Sequence, residues 1–109
     1  MMGMRYIVAI IRSDVLKALE GKLASIGVRG LTMTKVKGFG EYADAFSSDW
    51  LTVHTKIEIF TEESKAEAIT KVIMDVAHSD IPGAGIVAVM PVEKFLHIRT
   101  RSETLPDDA

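Results

Sequence analysis

Gly30-Leu31-Thr32-Met33-Thr34-Lys35-Val36-Lys37-Gly38-Phe39-Gly40 is a strand bracketed by glycines. Thr32, Thr34 and Val36 are β-branched and alternate with Leu31, Met33 and Lys35, the pattern of a pleated segment with two different faces. It ends in Lys37-Gly38-Phe39-Gly40. Glycines on either side of an aromatic ring permit φ > 0 and let a ligand approach the main chain, and the lysine before them supplies a cation. That corner suits a phosphate. A strand passing into a loop has the same composition, and the stretch alone does not separate the two readings.

Toward the N-terminus, Arg5 to Ile11 is an apolar run typical of a strand buried on both faces. Arg12-Ser13-Asp14 stops it. Ser13 is placed to cap the next helix, with Asp14 at its positive end. Val15, Leu16, Leu19, Leu23 and Ile26 then recur at helical spacing, and Gly27 follows as the residue that ends the helix. Gly21 falls on the wet side of that helix, where it costs about 1 kcal/mol relative to alanine.

Toward the C-terminus, Glu41 to Trp50 reads as an acidic loop with Glu41, Asp44 and Asp49 and three aromatic rings, Tyr42, Phe46 and Trp50. Rings in such a loop either recognise a partner or tuck against a neighbouring subunit. Leu51 to Thr61 is the longest strand, with Leu51, Val53, Thr55, Ile57 and Ile59 on one face and Thr52, His54, Lys56, Glu58 and Phe60 on the other. Thr61 is the expected cap of a second helix, whose stripe is Ile69, Val72, Ile73 and Val76. His78 to Gly85 has turn chemistry. Ile86 to Met90 is an apolar strand, and Phe95 to Thr100 reads as a short last strand. The polar tail from Arg101 is expected to be mobile.

The resulting order, β-α-β-β-α-β plus a short extra C-terminal strand, predicts an α+β ferredoxin-like sandwich with both helices on one sheet face. The other face carries Phe60, Phe95, Lys56, Glu58, His97 and Arg99. It is too mixed for a core and too apolar for open water, so subunit association is expected. The chain has 109 residues, enough for one domain. Its net charge of −2 leaves no footprint for nucleic acid, and the strands lack the aromatic pair that stacks bases. There is no apolar run long enough for a membrane span and no signal-peptide pattern, so a cytoplasmic protein is expected. With no cysteine and three scattered histidines, no metal site is expected.

These residues resemble the PII signal-transduction proteins over nearly the whole chain. The likeness runs through Ile7-Val8-Ala9-Ile10-Ile11, Gly27, Gly30-Leu31-Thr32-Met33-Thr34, Val36-Lys37-Gly38-Phe39-Gly40, Lys56-Ile57-Glu58, Pro91-Val92-Glu93 and Ile98-Arg99-Thr100. The resemblance implies a homotrimer that senses adenine nucleotide (ADP, AMP or ATP) in clefts between subunits. It implies one domain over residues 1–100 and a tail over 101–109. It implies that Gly30, Leu31 and Thr32 border the adenine and that Gly38, Phe39 and Gly40 approach the phosphates. Gly83, Ala84, Gly85 and Ile86 of a neighbour would wrap them. Glu58, Phe60, His97 and Arg99 complete the implied site. Residues 41–50, with Glu41, Tyr42, Phe46 and Trp50, would be a shortened effector loop acting on a protein target such as a transporter or enzyme. His54 belongs to the same effector group.

The departures from the family bear on ligand choice. Tyr42 replaces an expected glutamine and His54 an expected lysine, which argues against 2-oxoglutarate. Gly83-Ala84-Gly85-Ile86 stands where Gly-Asp-Gly-Lys is usual, and His97 stands for the first of two arginines. Each charge-assisted phosphate contact is worth about 1.5–3 kcal/mol. Losing two of them predicts a preference for ADP or AMP over ATP. Short-loop relatives include carboxysome-associated PII-like proteins, which makes bicarbonate a candidate second effector. A CutA-like trimeric scaffold without a nucleotide cleft is the alternative. An acylphosphatase needs an asparagine to orient water, and the chain has none.

Overall fold

A computed structural model describes residues 3–38 and 52–103. Its order is β1 (Met4–Arg12), a 3-10 turn (Ser13–Val15), α1 (Leu16–Ser25), β2 (Thr32–Gly38), β3 (Thr52–Glu62), α2 (Glu63–Ala77) and β4 (Gly85–Val92). The four strands form one antiparallel sheet in the order β2-β3-β1-β4. This is the expected ferredoxin-like arrangement. The apolar run of β1 is central: Ile7 pairs with Ile59 on one side and with Val89 on the other.

The core lies between one sheet face and the two helices. Ile7, Ala9 and Ile11 of β1 and Ile57 and Ile59 of β3 meet Leu19 and Leu23 of α1 and Ala66, Ile69 and Ile73 of α2. Each buried Ile or Leu contributes about 1.5–3 kcal/mol relative to exposure, so this cluster dominates the stability of the fold. Alternate residues of the same strands face away from the helices. Phe60, Ile86 and Met90 remain partly exposed there, an apolar surface that the other described residues leave open in part.

Three local expectations are corrected. Ser13 does not cap α1: its hydroxyl bonds Thr55 Oγ1 at 2.8 Å, and the helix begins through the 3-10 turn instead. Thr61 does not cap α2. It is a buried β3 residue paired with Arg5, and the helix starts after Glu62, with Glu63 N donating to Gly3 O at 2.8 Å. Phe95 to Thr100 is not a strand. Both sides of β1 are already occupied, and the segment closes on itself through one bridge, His97 with Ser102, around a turn that holds Arg101 at φ 54°.

Candidate functional site

Helix α1 ends as its sequence dictates. Gly27 takes φ 92°, its N–H donates to Ala24 O at 3.1 Å, and Val28 N donates to Leu23 O at 3.0 Å. This pair of bonds satisfies the last helical carbonyls and needs a left-handed residue at Gly27. Val28 and Leu31 then pack on the core, which leads the Ile26–Leu31 segment across one end of the sheet. A side chain built on Gly30 would meet no atom within 4 Å, so its backbone faces open space.

That space is a cavity of about 620 Å³. Ile26 to Thr32 form one wall and Glu58 to Thr61 of β3 form the floor. Ser64, Lys65, Ala68 and Ile69 of α2 form a second wall, with Phe95 and His97 at the rim. The aromatic rings are linked. Tyr6 and Phe60 have centroids 5.0 Å apart, Phe60 and Phe95 5.3 Å, and Phe95 and His97 5.1 Å in an edge-on contact. Successive rings are tilted by 36°, 48° and 84°, and the faces of Phe60 and Phe95, which line the cavity, can each stack a planar ring. The Tyr6 hydroxyl donates to Glu58 Oε2 at 2.5 Å. The phenol is thereby held above its ordinary pKa, first by that hydrogen bond, then by burial and by the carboxylate charge. Glu58 is fixed by this bond and forms no ion pair with Lys56 among the described residues, although the two share one face of β3.

Six of the expected residues therefore meet at one cavity: Gly30, Leu31, Thr32, Glu58, Phe60 and His97. Others lie elsewhere. Ala84, Gly85 and Ile86 border a separate hollow of about 100 Å³ with Met74, Ala77 and His78. In β1 register this is the Ile10–Ile11 end, whereas Phe60 faces Tyr6. Four to five residues of strand separate the two places, roughly 13–17 Å. Gly85 has φ 127°, and a Cβ there would stand 2.1 Å from Ile10 O, so glycine is required for the close approach of β4 to β1. Arg99 is exposed in the turn after His97 and does not line the cavity.

His54 lies in β3, is 1% exposed, and places Nε2 3.2 Å from Gly83 O. It is a buried partner of the 83–86 turn, in contrast to an effector-loop residue open to a ligand. Gly38 is the last residue of β2, paired with Thr52. Phe39, Gly40, Glu41, Tyr42, Phe46 and Trp50 lie outside the described residues.

Arg29 and Lys65 line the cavity, and neither was singled out in the sequence. Lys65 Nζ is 3.9 Å from Glu62 Oε1. A signal existed for Arg29, which directly precedes Gly30 after the helix-ending glycine. Lys65 had none, because its place depends on how α2 packs over β3.

Comparison with known proteins agrees with the fold. Residues 4–102 match the family model "Nitrogen regulatory protein P-II". The chain is 33% identical over 106 residues to nitrogen regulatory protein GlnK2 of Haloferax mediterranei, covering 90% of this chain and 85% of the relative. It is 35% identical over 105 residues to nitrogen regulatory protein P-II of Azospirillum brasilense, covering 89% and 93%. The crystal structure of Arabidopsis thaliana PII bound to citrate superposes with a TM-score of 0.78 at 26% identity, covering 93% of this chain and 85% of that one.

Proposed function

We propose that this chain, which belongs to the nitrogen regulatory protein P-II family and is a regulatory protein of that kind, responds to adenine nucleotide bound in the cavity described above. The observation that carries the reading is the meeting of Gly30–Thr32, Glu58, Phe60 and His97, from three distant segments, around one space with an aromatic wall. A base lies against Phe60 and Phe95, and the phosphates point out of the rim. The 83–86 turn is too far along the same sheet to reach that ligand, so a neighbouring copy supplies it. The uncovered face with Phe60, Ile86 and Met90 supports assembly into a homotrimer. Residues 41–50 carry the signal to a protein target, a transporter or an enzyme, in the cytoplasm.

The reading extends to ligand preference. Ile86 and His97 occupy places where cations would hold a terminal phosphate, so ADP or AMP is favoured over ATP. Bicarbonate is the proposed second effector. The test is calorimetric titration with ADP, AMP and ATP, each alone and with bicarbonate or 2-oxoglutarate, with citrate as an anion control. Saturable binding of ADP or AMP tighter than ATP, shifted by bicarbonate alone, is expected. Tighter ATP binding refutes the preference. Absence of binding by all three refutes nucleotide sensing and favours a trimeric scaffold.

A further inference from the structure

Tyr6 stands outside the cavity, yet its side chain is tied to the cavity floor at two points. Its ring packs on Phe60 with centroids 5.0 Å apart, and its hydroxyl donates to Glu58 Oε2 at 2.5 Å. Phe60 and Glu58 both line the cavity, and Tyr6 does not. In register Tyr6 faces Phe60 while Glu58 faces Val8. The hydroxyl therefore reaches diagonally across the ladder to a residue two positions back along β3. The ring contact fixes where the phenol sits, and the phenol fixes where the carboxylate sits. Glu58 is thereby held in one orientation, although a free glutamate samples many rotamers.

Strand pairing does not need this bond, because β1 and β3 are registered along their whole shared length, from Met4–Glu62 to Arg12–His54. Charge neutralisation does not call for it either. Lys56 shares the face of Glu58 and forms no ion pair with it. A phenol satisfies one carboxylate oxygen without cancelling the charge. The other oxygen, Oε1, makes no hydrogen bond or ion pair with any described residue. An ionised carboxylate is acceptor-only, and beside an anionic ligand it repels unless the ligand brings a donor to it. A nucleotide carries its donors on the nucleoside half, as ribose hydroxyls and the exocyclic amine of adenine.

We infer that Tyr6 is a positioning residue: its hydroxyl holds Glu58 ready to accept a hydrogen bond from the nucleoside half of the ligand, a ribose hydroxyl or the amine of the base. The inference rests on the nucleotide reading above. Tyr6 itself does not touch the ligand. Its bond occupies one carboxylate oxygen and leaves the other for the ligand, so the acceptor is oriented before binding and less ordering is needed on association. A ligand that lacks the donor leaves that oxygen desolvated and unpaired, which is how such a site rejects analogues. The selection acts on the nucleoside and is indifferent to the number of phosphates.

The test is calorimetric titration of the parent protein, Tyr6→Phe, Glu58→Ala and the double variant, with thermal unfolding to confirm that each is folded. The ligands are ADP, AMP and three analogues: IDP, which lacks the amine, 2′-deoxy-ADP and 3′-deoxy-ADP. Phenylalanine keeps the ring against Phe60 and with it the fold. In Tyr6→Phe the affinities for ADP and AMP fall alike, by about 3- to 10-fold. The loss shrinks to less than about twofold with the analogue that lacks the donor received by Glu58. It also shrinks to less than about twofold when Tyr6→Phe is added to Glu58→Ala, because Tyr6 acts through Glu58. A merely structural hydroxyl would lower affinity for every ligand alike and in both backgrounds. Equal ADP affinity in Tyr6→Phe and the parent, or an equal loss with ADP and all three analogues, overturns the role of Tyr6 and leaves the nucleotide reading standing. Failure of the parent to bind either ADP or AMP overturns the reading beneath it as well.

Discussion

Replacing Gly85 by alanine tests whether the start of β4 is built on a backbone contact that only glycine permits. A Cβ at that position stands 2.1 Å from Ile10 O, 3.1 Å from Ile10 C and 3.2 Å from Ile11 Cα. All three atoms belong to the backbone of the central strand, so no side chain can swing aside. The φ of 127° adds strain of about 1–3 kcal/mol for a residue with a Cβ. Relief requires β4 to separate from β1 at the Ile10–Ile86 and Ile11–Gly85 pairs. That forfeits one or two ladder bonds, each worth about 1 kcal/mol. Together the loss is about 2–5 kcal/mol, a large share of the roughly 5–15 kcal/mol that holds a domain folded. Urea unfolding followed by circular dichroism, at one fixed protein concentration, reads it as a fall in midpoint of about 1–3 M. Gly21→Ala is the matched control. Nothing lies within 4 Å of a Cβ there, and alanine inside α1 raises stability by about 0.5–1 kcal/mol. A Gly85→Ala protein within about 1 kcal/mol of the parent refutes the reasoning.

Two further outcomes follow from buried or hydrogen-bonded side chains. His54→Ala opens a void under the 83–86 turn and leaves Gly83 O without its 3.2 Å partner, costing about 2–4 kcal/mol; amide exchange at Gly83 and Gly85 speeds up, and unchanged exchange there removes His54 as the support of the turn. Tyr6→Phe keeps the ring against Phe60 and removes the bond to Glu58. The fold raises the Tyr6 pKa and so favours the protonated phenol: its contribution is complete below about pH 10 and disappears as pH rises through the folded value. Stability of the parent therefore declines more steeply than that of Tyr6→Phe in the alkaline limb, and parallel alkaline limbs in pH-dependent unfolding refute the coupling.

The layers of this fold were legible because hydrophobic period and turn chemistry agree along most of the chain. Leu19 and Leu23, or Ile69 and Ile73, sit where helical spacing places them. The failures share one cause, which is tertiary competition for a local group. Ser13 and Thr61 have the chemistry of helix caps, yet Ser13 is drawn to Thr55 and Thr61 is needed in β3. His54 shares a strand parity with half-exposed Lys56 and Glu58, so alternation predicts a partly wet residue. The packing of the 83–86 turn buries it instead. In the candidate site, Gly30–Thr32 and Glu58 were visible through family resemblance, whereas Lys65 depends on how α2 packs over β3, which no spacing encodes.

The position of β1 also governs how this chain is made. Its neighbours are Thr52–Glu62 on one side and Gly85–Val92 on the other, so the strand synthesised first finds its second partner last. At a translation speed of about 5–20 residues per second, roughly 80 residues separate the end of β1 from the end of β4, an interval of about 4–16 s. During that time Tyr6-Ile7-Val8-Ala9-Ile10-Ile11 is an apolar ribbon with open edges, the kind of segment that pairs with other nascent chains. The β2–β3 hairpin forms from local contacts, but it cannot shelter both edges of β1. Expression yield is therefore set by the rate at which β4 arrives, and slowing translation between Glu63 and Gly85 lengthens the hazard without altering the finished protein.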